Sequence, residues 1–166
     1  MSVFDTISKP QDRSTLVTIL GDAGLGKSSL ASTFPNPIFI RAEDGLQAIP
    51  LDIRPDAFPV VTKTDDLWDQ LRSLITENHD YKTIVIDSVT ALERSFIEHI
   101  VESDPKKPKS INQALGGYGA GLTAVAALHG RVRKATKVCT LYLLHMQTQK
   151  QLTFPILNRT HVIILD

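Results

Sequence analysis

Cysteine and long apolar runs are almost absent from this sequence of 166 residues. Cys139 is the single cysteine, so there is no disulfide framework and no cysteine-based metal site, and we expect it to be a small buried residue in a reducing cytoplasm. No apolar run reaches the roughly 18–20 residues of a membrane-spanning helix. Residues 1–16 mix charges of both signs where a signal peptide has an apolar core. These absences predict a soluble, cytoplasmic protein with no membrane partner.

Net charge is zero, but the charges are distributed unevenly along the chain. Residues 1–102 carry nine Lys or Arg and sixteen Asp or Glu, a net charge of −7, whereas residues 103–166 carry nine Lys or Arg and two acidic residues, a net charge of +7. Such asymmetry favours an anionic partner, such as nucleic acid, for the second part. The alternative is a dipole that is balanced within the molecule.

One glycine-rich stretch matches the phosphate-binding pattern G-x-x-x-x-G-K-[S/T], between the apolar run 15–20 and a segment that can continue as a helix. Its glycines let backbone N–H groups face a phosphate, and the helix start adds further donors. Lys27 is expected to contact the β- and γ-phosphates, and the Ser28 hydroxyl to hold Mg²⁺. A glycine-rich turn with an incidental lysine is the alternative. The predicted nucleotide-binding residues are Gly21, Asp22, Ala23, Gly24, Leu25, Gly26, Lys27, Ser28 and Ser29.

Strand-like and helix-like segments alternate along the chain. The apolar runs predict strands at 15–20, 38–41, 58–62, 81–87 and 137–144, with a last apolar run at 162–165. Helices are predicted after the phosphate loop, at about 65–75, from Thr90 to about Glu102 and at 122–137, with a long basic, glycine-rich loop at 103–121. This order predicts one domain over 1–166 with an α/β fold, in which helices cover both faces of a doubly wound, mainly parallel sheet.

Three polar residues follow predicted strands, at the sheet edge where ligands of such folds bind. Asp87 could hold Mg²⁺ opposite Ser28, with capping of the next helix by Asp87 or Ser88 as the alternative. Glu43 could orient or deprotonate an attacking water, or could be a solvated turn residue. His145 could donate a hydrogen bond to the γ-phosphate, or could be an ordinary polar residue at a strand end.

The basic loop and the helix after it offer candidate contacts with nucleic acid. Basic side chains bind backbone phosphates, and an aromatic ring stacks on a base. A solvated charged loop with its aromatic ring in the core is the alternative. The candidates are Lys106, Lys107, Lys109, Tyr118, Arg131 and Arg133.

Together these segments resemble the RecA-like ATPase core, and within it the small phage Sak-type ATPases associated with single-strand annealing. The likeness rests on residues 21–28, 40–46 and 83–92, on the glycine- and tyrosine-containing stretch 116–121, and on the strand that ends at His145. It implies that ATP and Mg²⁺ are the cofactors, that Glu43 activates water and that His145 senses the γ-phosphate.

The resemblance covers about residues 14–146 and implies an ATPase that acts with single-stranded DNA in phage recombination or replication. It also implies a homo-oligomer in the host cytoplasm and a single-strand-binding or annealing protein as a partner. Related cores continue with further strands and a DNA-contacting loop, so whether the C-terminal segment 147–166 is truncated stays open. Only Lys150 and Arg159 are candidates for a basic finger residue that reaches the ATP site of a neighbouring subunit. The alternatives are a nucleotide-dependent binding module with negligible turnover and a small-molecule kinase, which the lack of an arginine-rich lid disfavours.

Overall fold

The computed structural model describes residues 3–7, 15–114, 116–135, 139–144 and 161–164. The strands in these ranges are β1 (Thr15–Leu20), β2 (Pro37–Arg41), β3 (Asp56–Ala57), β4 (Thr83–Asp87), β5 (Cys139–Leu144) and β6 (His161–Ile164). The α-helices in these ranges are α1 (Lys27–Ser32), α2 (Thr64–Thr76), α3 (Val89–Ser103) and α4 (Gly117–Ala135). The strands form one sheet in the order β3-β2-β4-β5-β1-β6, and each of the five pairings is parallel.

Successive side chains of a strand point to opposite sides of the sheet, and those of β1, β2 and β4 are buried on both sides. One face presents Leu16, Leu20, Ile38, Ile40, Ile84 and Ile86 to the apolar sides of α2, α3 and α4. The other presents Val17, Ile19, Phe39 and Val85 to α1 and to a short 3₁₀ turn at Leu46–Ala48. The predicted α/β class, with a doubly wound parallel sheet and helices on both faces, is confirmed.

Helix α2 is one of the three helices that cover the first face of the sheet, and its sequence shows why a helix forms there. Leu67, Leu71 and Leu74 recur at helical spacing and are buried. At the start of the helix, Asp66 Oδ2 accepts hydrogen bonds from the backbone N–H groups of Thr62 and Lys63, both at 3.0 Å, and from the Thr62 hydroxyl at 2.7 Å. These bonds, that of the Thr62 hydroxyl above all, hold the pKa of Asp66 below its ordinary value.

The third strand differs from its prediction at 58–62. Strand β3 pairs with β2 only at Asp56 and Ala57. Beyond it, Phe58 N–H donates to Phe39 O at 2.9 Å and the N–H of Val61 donates to Arg41 O at 2.7 Å. Proline has no N–H to give a ladder, so Pro59 interrupts the pairing and the segment follows β2 through isolated hydrogen bonds.

Helix α4 begins at Gly117, five residues before its predicted start, so the loop predicted over 103–121 is too long. Glycine propensity argues against a helix there, but Val125, Leu128 and Val132 are buried along one side of α4 and their packing favours the helix. The connection from α3 holds a 3₁₀ turn at Ile111–Gln113.

The last strand in the described residues lies at the edge of the sheet. Strand β6 pairs with β1 from Val17↔His161 to Leu20↔Ile164, so the sheet extends beyond residue 146, where the resemblance ends.

Among the helices in the described part of the chain, none is both long and apolar enough to cross a membrane.

Candidate nucleotide-binding site

The glycine-rich loop joins the carboxyl end of β1 to the start of α1. Gly24 and Gly26 have φ angles of +83° and +81°, in the left-handed region that disfavours residues with a Cβ. No atom lies within 4 Å of the Cβ position at either residue, so conformation and not space requires glycine at both. Residues 22–26 are exposed to solvent, and the loop is therefore open to a ligand.

Lys27, the first residue of α1, is the basic residue that follows this loop. The side chain is 8% exposed, and its Nζ donates to Gly21 O at 3.0 Å and to Asp22 O at 2.8 Å. An ammonium group has three donors, and these two carbonyl oxygens take two of them. The loop thus holds a buried positive charge beneath its exposed backbone.

Ser28 and Asp87 come together at the carboxyl edge of the sheet, although 59 residues separate them. The Ser28 hydroxyl donates to Asp87 Oδ2 at 2.7 Å, and Asp87 is 5% exposed. A Cβ added to Gly45 would lie 3.6 Å from Asp87 Oδ2 and 3.8 Å from Ser28 Oγ, so the backbone of Gly45 lies beside both oxygens. A hydroxyl and a carboxylate that lie together fit Mg²⁺, which prefers oxygen ligands.

The loop of residues 42–45, here called the acidic loop, lies against the end of β4. Ala42 N–H donates to Asp87 O at 2.7 Å. Asp44 forms a salt bridge with Arg41 at 2.9 Å and accepts a hydrogen bond from Gln47 Nε2 at 2.6 Å. These contacts hold the loop against β4, and Glu43 within it is exposed.

Comparison with known proteins agrees with this geometry. Residues 13–164 match the family model described as an AAA domain. The chain belongs to this AAA domain family. Its match extends from before β1 to the end of β6, further than the resemblance to residues 14–146. The AAA domain is a P-loop ATPase fold, and membership supports nucleotide binding.

Two further comparisons add little to the family assignment. No curated protein matches the chain. Among solved structures it is similar to "a prototypical ATPase from the type III secretion system of pathogenic bacteria", with 14% identity and a TM-score of 0.49 over 81% of this chain and 45% of that one. This AAA domain chain thus spans less than half of that ATPase, and a likeness at this TM-score carries no functional argument.

The sequence predicts Ser88 only as a possible cap of a helix. Its contact with Glu43 in this AAA domain is the feature of the site that sequence reasoning missed. Ser88 follows Asp87 through a cis peptide bond and is 1% exposed. Its Oγ accepts a hydrogen bond from Ala91 N–H at 3.3 Å and donates to Glu43 Oε1. Ser88 therefore caps α3, which begins one residue before the predicted Thr90, while Asp87 contacts Ser28. Capping of α3 thus falls to Ser88, and the role of Asp87 as a metal ligand stays a prediction.

The remaining candidates are placed as follows. His145 lies outside the described residues, as does the side chain of Tyr118, whose backbone belongs to the first turn of α4. Lys106, Lys107 and Lys109 are exposed on the connection after α3.

Arg131 and Arg133, the candidates on α4, differ in their surroundings. The Arg131 guanidinium lies 4.6 Å from the centroid of the Trp68 ring, and Trp68 in turn stacks on Phe96 at 5.9 Å. Arg131 thus has a packing role between helices that the sequence did not suggest. Arg133 is exposed; burial, and then the charge of Arg133, lower the pKa of His129.

Proposed function

We propose that this AAA domain chain is a Mg²⁺-dependent ATPase that acts with single-stranded DNA in phage recombination or replication. The observation that carries the ATPase proposal is the 2.7 Å contact of Ser28 Oγ with Asp87 Oδ2, directly after a loop with two left-handed glycines. A P-loop serine and an aspartate at the end of another strand of the sheet are the two protein ligands that Mg²⁺ uses in P-loop NTPases. The acidic loop supplies a second carboxylate beside them.

Each residue of the site has a defined task in the proposed reaction. The exposed N–H groups of residues 22–26 bind the phosphates, and Lys27 exchanges its bonds to the loop carbonyls for bonds to β- and γ-phosphate oxygens. Ser28 and Asp87 would hold Mg²⁺, which neutralises charge on those oxygens when it is bound. His145 is proposed to sense the γ-phosphate.

Glu43 is the proposed general base. Its carboxylate accepts a proton from water while the water oxygen forms a bond to the γ-phosphorus, and the bond between that phosphorus and the β–γ bridging oxygen breaks. ADP leaves with the electron pair of that bond. The exposure of Glu43 lets a water approach it.

The DNA part of the proposal is supported by charge. Lys106, Lys107 and Lys109 are exposed within a part of the chain, residues 103–166, that has nine basic and two acidic residues. Exposed lysines bind phosphates and release counterions, so their contribution falls as salt rises.

We also propose that the chain forms a homo-oligomer. Leu51 and Ile53 are 82% and 64% exposed. They share a turn that Arg54 holds by donating to the carbonyl oxygens of Gln47 and Ile49, at 2.7–3.2 Å. Two aliphatic side chains on a fixed turn favour contact with another protein surface. Sedimentation with Mg-ATP is expected to show assembly that Leu51→Ser/Ile53→Ser reduces, and a monomer at every concentration would refute it.

An ATPase assay with Mg²⁺ or EDTA, each with and without single-stranded DNA, tests the proposed function. We expect turnover that requires Mg²⁺ and increases with DNA. Saturable binding of Mg-ATP without turnover would instead establish a nucleotide-dependent binding module. The absence of any heat of binding in a calorimetric titration would refute the nucleotide site itself.

A further inference from the structure

Ser88 joins the metal-binding strand to the acidic loop, a link that the proposed reaction does not use. We propose that Ser88 is a positioning residue, whose hydroxyl fixes the Glu43 carboxylate in the orientation needed for ATP turnover. This inference rests on the proposed ATPase function and adds to it a residue that touches neither phosphate nor metal.

The hydrogen-bond geometry at Ser88 is directional. A serine hydroxyl has one hydrogen and two lone pairs. One lone pair accepts the N–H of Ala91 at 3.3 Å, and the hydrogen points to Glu43 Oε1. A hydroxyl that donates to an ionised carboxylate makes a charge-assisted bond, which is stronger than a neutral one.

The two partners differ in mobility, and this difference makes the bond useful. Ser88 is 1% exposed and belongs to the start of α3, so its position is set by packing. Glu43 is exposed, and an exposed glutamate samples several rotamers, whose restriction has an entropic cost. The bond to a buried, fixed donor selects one of them before ATP binds.

Other contacts already hold the backbone of the acidic loop. Ala42 N–H donates to Asp87 O at 2.7 Å, and Asp44 is bound to Arg41 and Gln47. Ser88 adds a contact to the Glu43 side chain itself, which restrains the orientation of its carboxylate. Because misplacement of a reacting group by about 1 Å can lower a rate about a hundredfold, loss of this hydroxyl is expected to lower kcat roughly 10- to 100-fold.

A purely structural role for Ser88 makes a different prediction. As the N-cap of α3, Ser88 is replaced by glycine at little cost and by alanine at a larger one. If Ser88 only caps the helix, Ser88→Gly keeps kcat near the wild-type value. If Ser88 positions Glu43, then Ser88→Gly and Ser88→Ala lose kcat to a similar extent, because both lack the hydroxyl.

The experiment compares Ser88→Gly and Ser88→Ala with the wild-type chain, with thermal unfolding as the check on folding. We expect a 10- to 100-fold lower kcat in both variants, with a Kd for Mg-ATP within about twofold of wild type. Asp66→Ala is the matched control, because it removes the capping carboxylate of α2 without touching the site, and it is expected to keep kcat. Should alanine at position 88 prevent folding, Ser88→Gly carries the comparison.

A double-mutant cycle shows whether Ser88 acts through Glu43. In the Glu43→Gln background, single-turnover hydrolysis is expected to be slow and unchanged by adding Ser88→Gly. A further tenfold loss in that background would mean that Ser88 acts independently, and it would overturn the inference.

The outcomes also separate this inference from the proposed function. A wild-type chain that hydrolyses ATP and a Ser88→Gly variant with an equal kcat would overturn the positioning role alone. A wild-type chain that binds Mg-ATP and shows no turnover would overturn both.

Discussion

Replacing Gly45 by alanine tests the proposed metal site directly, because this residue lies beside the two oxygens that are proposed to bind the ion. A Cβ there would lie 3.6 Å from Asp87 Oδ2 and 3.8 Å from Ser28 Oγ. The φ angle of Gly45 is −86°, which alanine adopts without strain. The substitution therefore changes space and not conformation. We expect unchanged or higher stability, since a glycine replaced at a compatible φ gains about 0.4–1 kcal/mol.

The expected loss is in Mg²⁺-dependent binding. The ion lies about 2.0–2.1 Å from its oxygen ligands and demands a near-octahedral shell that includes waters. The new methyl group would compete for space with an ion that Ser28 and Asp87 share. Displacement of a water from that ion would leave polar groups unsatisfied. Such a group costs about 1–3 kcal/mol, so Mg-ATP should bind roughly tenfold to hundredfold more weakly.

Calorimetric titration with Mg-ATP, and with ATP in EDTA, measures this effect. Gly45→Ala is expected to weaken the binding of Mg-ATP and to leave the binding of ATP in EDTA unchanged. Gly24→Ala is the contrasting variant, because its φ of +83° makes alanine strained although no atom lies within 4 Å; it should weaken both titrations. Gly130→Ala, an open position in α4, should change neither. If Gly45→Ala folds and binds Mg-ATP as tightly as the wild type, the ion does not lie between these two oxygens.

Three further outcomes are expected. Glu43→Gln should bind Mg-ATP normally and lose turnover at least a hundredfold in a phosphate-release assay, as expected for a general base; full turnover would remove Glu43 from the mechanism. Replacement of Lys106, Lys107 and Lys109 by glutamine should make the slope of log affinity for single-stranded DNA against log salt less negative by about 0.7 per lysine, and an identical slope would exclude these contacts. Burial raises the pKa of Glu93 above its ordinary value, so the folded state binds the carboxyl proton of Glu93 more tightly than the unfolded state does. The free energy of unfolding that this proton contributes is lost as pH rises through the raised pKa. Urea unfolding across that pH range should show this loss in the wild type and not in Glu93→Gln, and equal pH dependence in both would refute it.

The parts of the fold that the sequence predicts are those governed by local pattern. The phosphate loop is continuous in sequence, and its requirements for glycine, lysine and serine are local. Strands β1, β2 and β4 are apolar runs that end near their predicted limits, because strands buried on both faces need apolar side chains throughout.

The errors arise where tertiary packing overrides local preference. Glycine at 117, 119 and 121 predicted a loop, yet these residues lie in α4, whose burial against the sheet outweighs their low propensity. Arg131 is exposed and stays a candidate for DNA contact, but its position over Trp68 depends on the packing of α2 against α4 and could not be predicted from the sequence.

The contact of Ser88 with Glu43 shows where a site becomes predictable once strand pairing is known. Strands β2 and β4 are parallel neighbours, and Arg41 pairs with Asp87 in register. The chains that leave the two strands therefore start at the same level of the carboxyl edge, about 4.7–4.9 Å apart. Glu43 is two residues beyond Arg41 and Ser88 is one beyond Asp87, so a glutamate side chain spans the gap. A shift of one residue in this register would separate Ser88 from Glu43. The contact of Asp87 with Ser28 depends instead on the pairings of β5 with β4 and with β1. The pairing of β2 with β4 thus sets the contact between Ser88 and Glu43, and the pairings on either side of β5 set the contact between Asp87 and Ser28.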